Sequence, residues 1–142
     1  MSMVLTPYLM LNGNAAEAIA FYERVLDAKV IFKQTFGDIP NLPEEIVQRT
    51  KRDQIAHAVL KIGDSQLLIA DTESGEPLQP GNQVTVCITL TQAEQAKELF
   101  ELLQEGGQID QPFGETYFSP AYGSITDKFG VTFLVFTMWS KE

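Results

Sequence analysis

The chain carries one structural unit written twice. "NAAEAIAFYERVL" (14–26) and "TQAEQAKELFELL" (91–103) are both amphipathic helix patterns, with apolar residues returning at three- and four-residue spacing. Ala15, Ala18, Ile19, Tyr22, Val25 and Leu26 form the first stripe; Ala96, Leu99, Phe100 and Leu103 form the second. Each pattern opens on a capping residue with glutamate three positions on, Asn14 with Glu17 and Thr91 with Glu94. That spacing predicts a reciprocal cap that satisfies the orphan amide donors of a helix start. Each helix follows a strand pattern, "VLTPYLMLN" (4–12) or "QVTVCITL" (83–90), and precedes another strand, around 29–36 or 108–118. A hairpin ends each copy, "HAVLKIGDSQLLIADT" (57–72) and "YGSITDKFGVTFLVFT" (122–137), equally long and with a polar, Gly-containing turn near the middle.

The order is therefore βαβββ twice, and the predicted fold is α+β. Residues 1–142 are read as a single domain, with module 1 at 1–75, module 2 at 83–142 and the acidic, Pro-containing stretch 72–82 as the connection. A sheet has one face for its helix and another that must pack or enclose something. Two such modules are expected to form a curved, half-closed mixed sheet around a cavity, with the helices on the outer face.

Composition narrows the function classes. The formal net charge is −9: residues 1–71 hold nine acidic and seven basic side chains, and 72–142 hold ten and three. Such a surface repels phosphate backbones, so no nucleic-acid partner is expected. A cationic ligand is electrostatically welcome, but an acidic surface usually serves only solubility, and that is the preferred reading. No apolar run reaches the roughly 20 residues that cross a bilayer, so no membrane partner is expected either. The first basic residue is Arg24, which leaves no basic n-region of a secretory signal. A single cysteine, Cys87, suits a reducing compartment, and the expected location is cytoplasmic. Burial as a small hydrophobe is the expectation for that thiol.

The duplicated order, "NGNAAEAIAFYERVLDAKV" near the start and "GSITDKFGVTFLVF" near the end resemble the vicinal oxygen chelate superfamily. That superfamily takes in glyoxalase I, extradiol dioxygenases, and fosfomycin- and bleomycin-resistance proteins; the resemblance is greatest to its PhnB-like branch. It covers essentially the whole chain and implies a homodimer. Methyltransferase activity, a label that branch often carries, finds no support, because no Gly-rich strand-to-helix turn is present to cradle a nucleotide-like cofactor. Metal enzymes of the superfamily place His or Glu ligands on the inner sheet face, on the first and last strands of each module. Those places map to Pro7 (or Tyr8, one residue shifted), Ile69, Thr85 and Leu134. None of these is a plausible ligand for a divalent metal, so the expectation is no metal and no cofactor.

Polar groups on the inner face then become the candidates. In "IAHAVLKIGD" (55–64), Ala56, Ala58, Leu60 and Ile62 make an apolar face for the helix, and His57, Val59 and Lys61 point inward. His57 is the chain's one histidine. A three-residue Gly63-Asp64-Ser65 connection sets it opposite Asp71, and a two-residue Gly63-Asp64 turn sets it opposite Ala70. The first register is preferred because it keeps Ile69 inward, and it predicts a His57–Asp71 pair that fixes the imidazole tautomer. Superposing the hairpins pairs His57 with Tyr122. Phe36, His57, Thr85, Glu115, Tyr117, Phe118 and Tyr122 are the candidate ligand-binding residues, and His57, Asp71 and Tyr122 the catalytic candidates. The leading function is binding of an unidentified small molecule in a metal-free cavity. The alternatives are a metal-independent enzyme with His57 as general base and, behind it, a divalent-metal lyase or dioxygenase. No GxSxG elbow supports Ser-His-Asp chemistry. The stretch 36–54 reads as a surface loop with a short helix near 43–50.

Overall fold

The computed structural model describes residues 2–74, 76–81 and 83–138. Its elements are β1 (Tyr8–Leu11), α1 (Ala15–Val25), β2 (Lys29–Thr35), a 3-10 turn (Phe36–Asp38), α2 (Glu44–Arg49), β3 (Ile55–Ile62), β4 (Ser65–Asp71), β5 (Val86–Leu90), α3 (Ala93–Leu103), β6 (Gln108–Gly114), β7 (Ala121–Thr126) and β8 (Thr132–Thr137). With α2 and the 3-10 turn set aside, this is βαβββ twice, as the repeat predicts. The chain divides at Gln79 and Pro80 into two compact units. In the first, the sheet order is β1-β4-β3-β2, with β1 parallel to β4 and the other pairs antiparallel. In the second it is β5-β8-β7-β6, with β5 parallel to β8. Each sheet is mixed and open, with its edges unjoined.

Each helix covers one face of its own sheet. α1 packs on β3 and β4 through Ala15, Ala18, Ile19, Phe21, Tyr22 and Val25, and α3 packs on β5, β7 and β8 through Ala96, Phe100 and Leu103. In the first sheet Ala58, Leu60, Leu67 and Ile69 are fully or nearly fully buried beneath the helix. In the second, Gly123 marks the helix side: a Cβ there would stand 2.6 Å from a ring carbon of Phe100. Residues one step away along each strand, His57 and Val59 or Tyr122 and Ser124, face away from the helix.

The helix starts differ from the predicted caps. Asn14 occupies the N-cap of α1 without a side-chain cap hydrogen bond, and α3 starts after Gln92, which leaves Thr91 outside the helix. In the first unit a carboxylate from another strand takes over. Asp71, almost fully buried at the end of β4, accepts Gly13 N at 2.8 Å and Ala15 N at 3.0 Å through Oδ1. Its Oδ2 accepts Ile55 N at 2.9 Å. A charged acceptor makes stronger bonds than a neutral amide oxygen, so Asp71 displaces Asn14 as the cap. Thr137 holds the corresponding place in the second unit, since Leu90 pairs with Thr137 as Leu11 pairs with Asp71. Its hydroxyl is buried and unpartnered among the described residues. There Ser119 supplies the local closure: its Oγ accepts Ala121 N at 3.1 Å and lies against the carbonyls of Ala121 and Thr137.

The hairpin turns correct a second expectation. Ile62 pairs with Ser65, so the first turn holds only Gly63 and Asp64, with Gly63 at φ +57° as a two-residue turn asks of its first position. The preferred three-residue register, with His57 opposite Asp71, is not formed; Ala58 pairs with Ile69, and the register carries His57 opposite Ala70. In the second hairpin Thr126 pairs with Thr132 and leaves five residues in the turn. There Asp127 Oδ1 accepts Phe129 N at 2.9 Å and Val131 N at 3.0 Å. The two turns differ by an odd number of residues, so the offset relating β3 to β7 does not relate β4 to β8. Ile69 therefore corresponds to Val135, and both lie under their helices; Leu134 corresponds to Leu68, and both lie on the other face.

Gly123→Ala should destabilise the second unit by about 1–3 kcal/mol through overpacking against Phe100. Chemical denaturation with the m-value unchanged checks this; a substitution without effect would show that Phe100 swings clear.

Candidate functional site

The helix-free face of the first sheet gathers aromatic and polar groups from three strands. Tyr8, Leu68, Val59 and Phe32 form one cross-strand row, and His57 stands next to it, paired with Gln34 of β2. The Tyr8 hydroxyl lies 3.1 Å from His57 Nδ1. The hydrogen bond has two forms: the phenol donates and the ring proton sits on Nε2, or Nδ1–H donates to the phenol oxygen. The Tyr8 and Phe32 ring centroids lie 5.7 and 5.9 Å from that of the imidazole, so the polar ring is flanked by two aromatic ones. Tyr8 and Phe32 are each about half exposed, at 48% and 47%. Lys61 lies on the same face, opposite Lys29 and Gln66.

The corresponding face of the second sheet carries an aromatic ladder. Tyr117 meets Phe118 at 5.0 Å and Phe118 meets Tyr122 at 4.9 Å, both nearly perpendicular, and Tyr122 meets Phe136 at 6.5 Å. Glu115 is exposed in the loop that leads to it, and Thr85 stands exposed just ahead of β5. Phe36 belongs elsewhere: it is buried in the 3-10 turn and lines a cleft of about 270 Å³ with Ile39, Leu42, Val47 and Arg52. Beside it the backbone N–H and the hydroxyl of Thr35, with Arg52 and Lys33 nearby, hold the Asp38 carboxyl below the ordinary carboxylate range.

Several sequence-predicted residues come together and others do not. Tyr117, Phe118 and Tyr122 are in mutual contact as a chain of rings. His57 and Asp71 are not partners: both Asp71 oxygens bind backbone amides under the helix, whereas His57 faces the other way to Tyr8. The structure thus contradicts the dyad, and the cause is the two-residue turn. Cys87 is exposed, contrary to the burial expected of it. Tyr8, considered only as a metal-slot alternative, is the partner that His57 takes. Phe32 and Phe136 were missed; Phe136 could have been found as the cross-strand neighbour of Tyr122, while the bulge after Val30 hides the facing of Phe32.

The metal places of the resemblance can now be read on the helix-free faces. The first and last strands present Tyr8 beside Leu68 in one unit and Cys87 beside Leu134 in the other. Two leucines, a phenol and a lone thiol are not the imidazole and carboxylate set such a metal requires. Among the described residues no three His, Cys, Asp or Glu side chains converge as a metal-holding group. The residues do not fit a resident divalent ion.

Two tandem βαβββ units, each with one helix-covered sheet face, define a class that the comparisons bear out. Residues 5–135 match the family model of the Glyoxalase/Bleomycin resistance protein/Dioxygenase superfamily, and the chain belongs to that family. It is 32% identical over 140 residues to protein YjdN from Escherichia coli (strain K12), with 94% of each chain covered. Protein PA1353 from Pseudomonas aeruginosa superposes with a TM-score of 0.85 at 29% identity, over 98% of this chain and all of the other. The PhnB protein from Bacillus cereus shares the fold, with a TM-score of 0.79 at 21% identity over 95% of this chain and 99% of that one. Among the described residues no helix is long and apolar enough to cross a membrane.

Three outcomes follow from this geometry. Asp71→Asn should lower stability by about 1–3 kcal/mol, by weakening bonds to buried amides, and leave the His57 ring resonances in place. Tyr8→Phe should move those resonances with little loss of stability, and NMR with chemical denaturation separates the two. Asp38 has its folded-state pKa below the unfolded value, so its contribution is present above the ordinary carboxylate pKa and fades as pH falls through the folded one. The difference in Tm between wild type and Asp38→Asn should therefore shrink as pH is lowered from 7 to below the ordinary carboxylate range; a constant difference would refute the assignment.

Proposed function

We propose that this protein binds a small organic molecule on the helix-free face of its first sheet, without a metal ion. The observation that carries the reading is the Tyr8–His57 hydrogen bond set between the exposed rings of Tyr8 and Phe32. Apolar ring surface with one orienting polar group is the usual make-up of a small-ligand site. In either tautomer the second ring nitrogen of His57 remains available to a ligand, as acceptor when Nδ1 carries the proton and as donor when Nε2 does. Leucines at the metal places favour binding over Lewis-acid chemistry, as do the aromatic flanks. In this reading the protein works in the cytoplasm as a homodimer, which the family resemblance implies.

General-base catalysis by His57 is the weaker reading, because the carboxylate meant to orient the imidazole is committed to the helix cap.

A metabolite screen by thermal shift tests the proposal. A ligand at 100 times its Kd should add about 2.7 kcal/mol of stability, and most of that gain should vanish in the Tyr8→Ala/His57→Ala double variant. Ligands that stabilise wild type and double variant equally would sink the reading. Near-stoichiometric metal in protein purified without added metal would do the same.

A further inference from the structure

The helix-free face of the second sheet has a chemistry of its own. Its ladder of Tyr117, Phe118, Tyr122 and Phe136 ends in a ring, Tyr117, that is 95% exposed. Phe118 is 44% exposed, so two adjacent rings offer apolar surface that the fold does not cover. Among the described residues of this unit, the charges placed on this side are acidic. Glu115 stands in the loop that supplies both rings, and Asp110 joins the same face through its 2.7 Å bond from Thr126 Oγ1. The basic residues of this unit among the described ones are Lys97 and Lys128. Lys97 is on α3, and Lys128 pairs with Glu105 at that helix's end, so neither serves the ladder.

We infer that the Tyr117–Phe118–Tyr122 ladder, with Glu115, is a binding site for an organic cation, an alkylammonium group held over aromatic faces in a negative field. The electron-rich ring faces attract a poorly hydrated cation, and an acidic surround raises its local concentration. An anion meets repulsion here, and a neutral molecule gains only ring contact. The assignment goes beyond the His57 face but rests on the reading of the chain as a small-molecule binder.

Choline and its neutral carbon isostere, 3,3-dimethyl-1-butanol, provide the test on the full chain, with the aromatic resonances followed by NMR. Choline should shift the Tyr117 and Tyr122 ring signals and bind about tenfold more tightly than the isostere, a ratio equal to ~1.4 kcal/mol. Tyr117→Ala/Phe118→Ala should weaken choline at least about tenfold, and Glu115→Gln about threefold. Tyr117 makes too little contact for its removal to threaten folding. Equal affinity of the two probes, or no ring shift up to ~50 mM choline, would overturn the site. Screen ligands that act through His57 while choline leaves Tyr117 unmoved would reject the cation site alone. Choline binding at Tyr117 with no ligand at His57 would support the cation site and reject the first-sheet reading.

Discussion

The first unit depends on one carboxylate. Asp71 closes β4 onto the start of α1 and the start of β3 through three backbone amides, two of them, those of Ala15 and Ile55, buried. Unpartnered, each such donor would cost about 1–3 kcal/mol. The carboxylate thus fastens the start of the helix to the end of β4 and the start of β3. His57 and Tyr8 lie on the opposite face, placed there by strand register. The second unit reaches the same architecture with hydroxyls: Ser119 serves the amide of Ala121, and Thr137 stands where the carboxylate would be. The two copies share a fold without sharing the bond that closes it.

Most of the fold could be read from the sequence because two copies of a pattern are harder to mistake than one. The helix stripes, the strand order and the short helix near 43–50 all emerged from apolar periodicity and turn residues. Helix caps and face parity did not. Asn14 and Thr91 satisfy a local rule, but Asp71 comes from 56 residues away from Ala15 and overrides it. The turn at Gly63 reads equally well with two residues or three, and that single residue decides whether Ile69 or Leu68 faces away from the helix. The His57–Asp71 dyad failed for the same reason. The aromatic ladder was partly legible because Tyr117, Phe118 and Tyr122 are close in sequence. Tyr8 lies 49 residues from His57, and only parallel pairing of β1 with β4 brings them together.

The two helix-free faces differ in electrical character. The first carries Lys61 beside its rings, and the second carries Asp110 and Glu115 beside its ladder. The imbalance of charge between the halves of the chain is therefore expressed on the helix-free faces, as well as on the solvated helix faces. A duplicated fold can in this way offer two recognition chemistries on one scaffold, since neither face contributes to the packing beneath its helix.

The unequal turns also bear on how the chain assembles. The first hairpin closes over Gly63 and Asp64, while the second must close over five residues. Loop-closure entropy makes the longer closure dearer by about 0.8 kcal/mol. The two amide bonds accepted by Asp127 offset that difference, but only after the loop has formed. The first hairpin closes on its glycine alone, whereas the second relies on the Asp127 carboxylate to gather its turn.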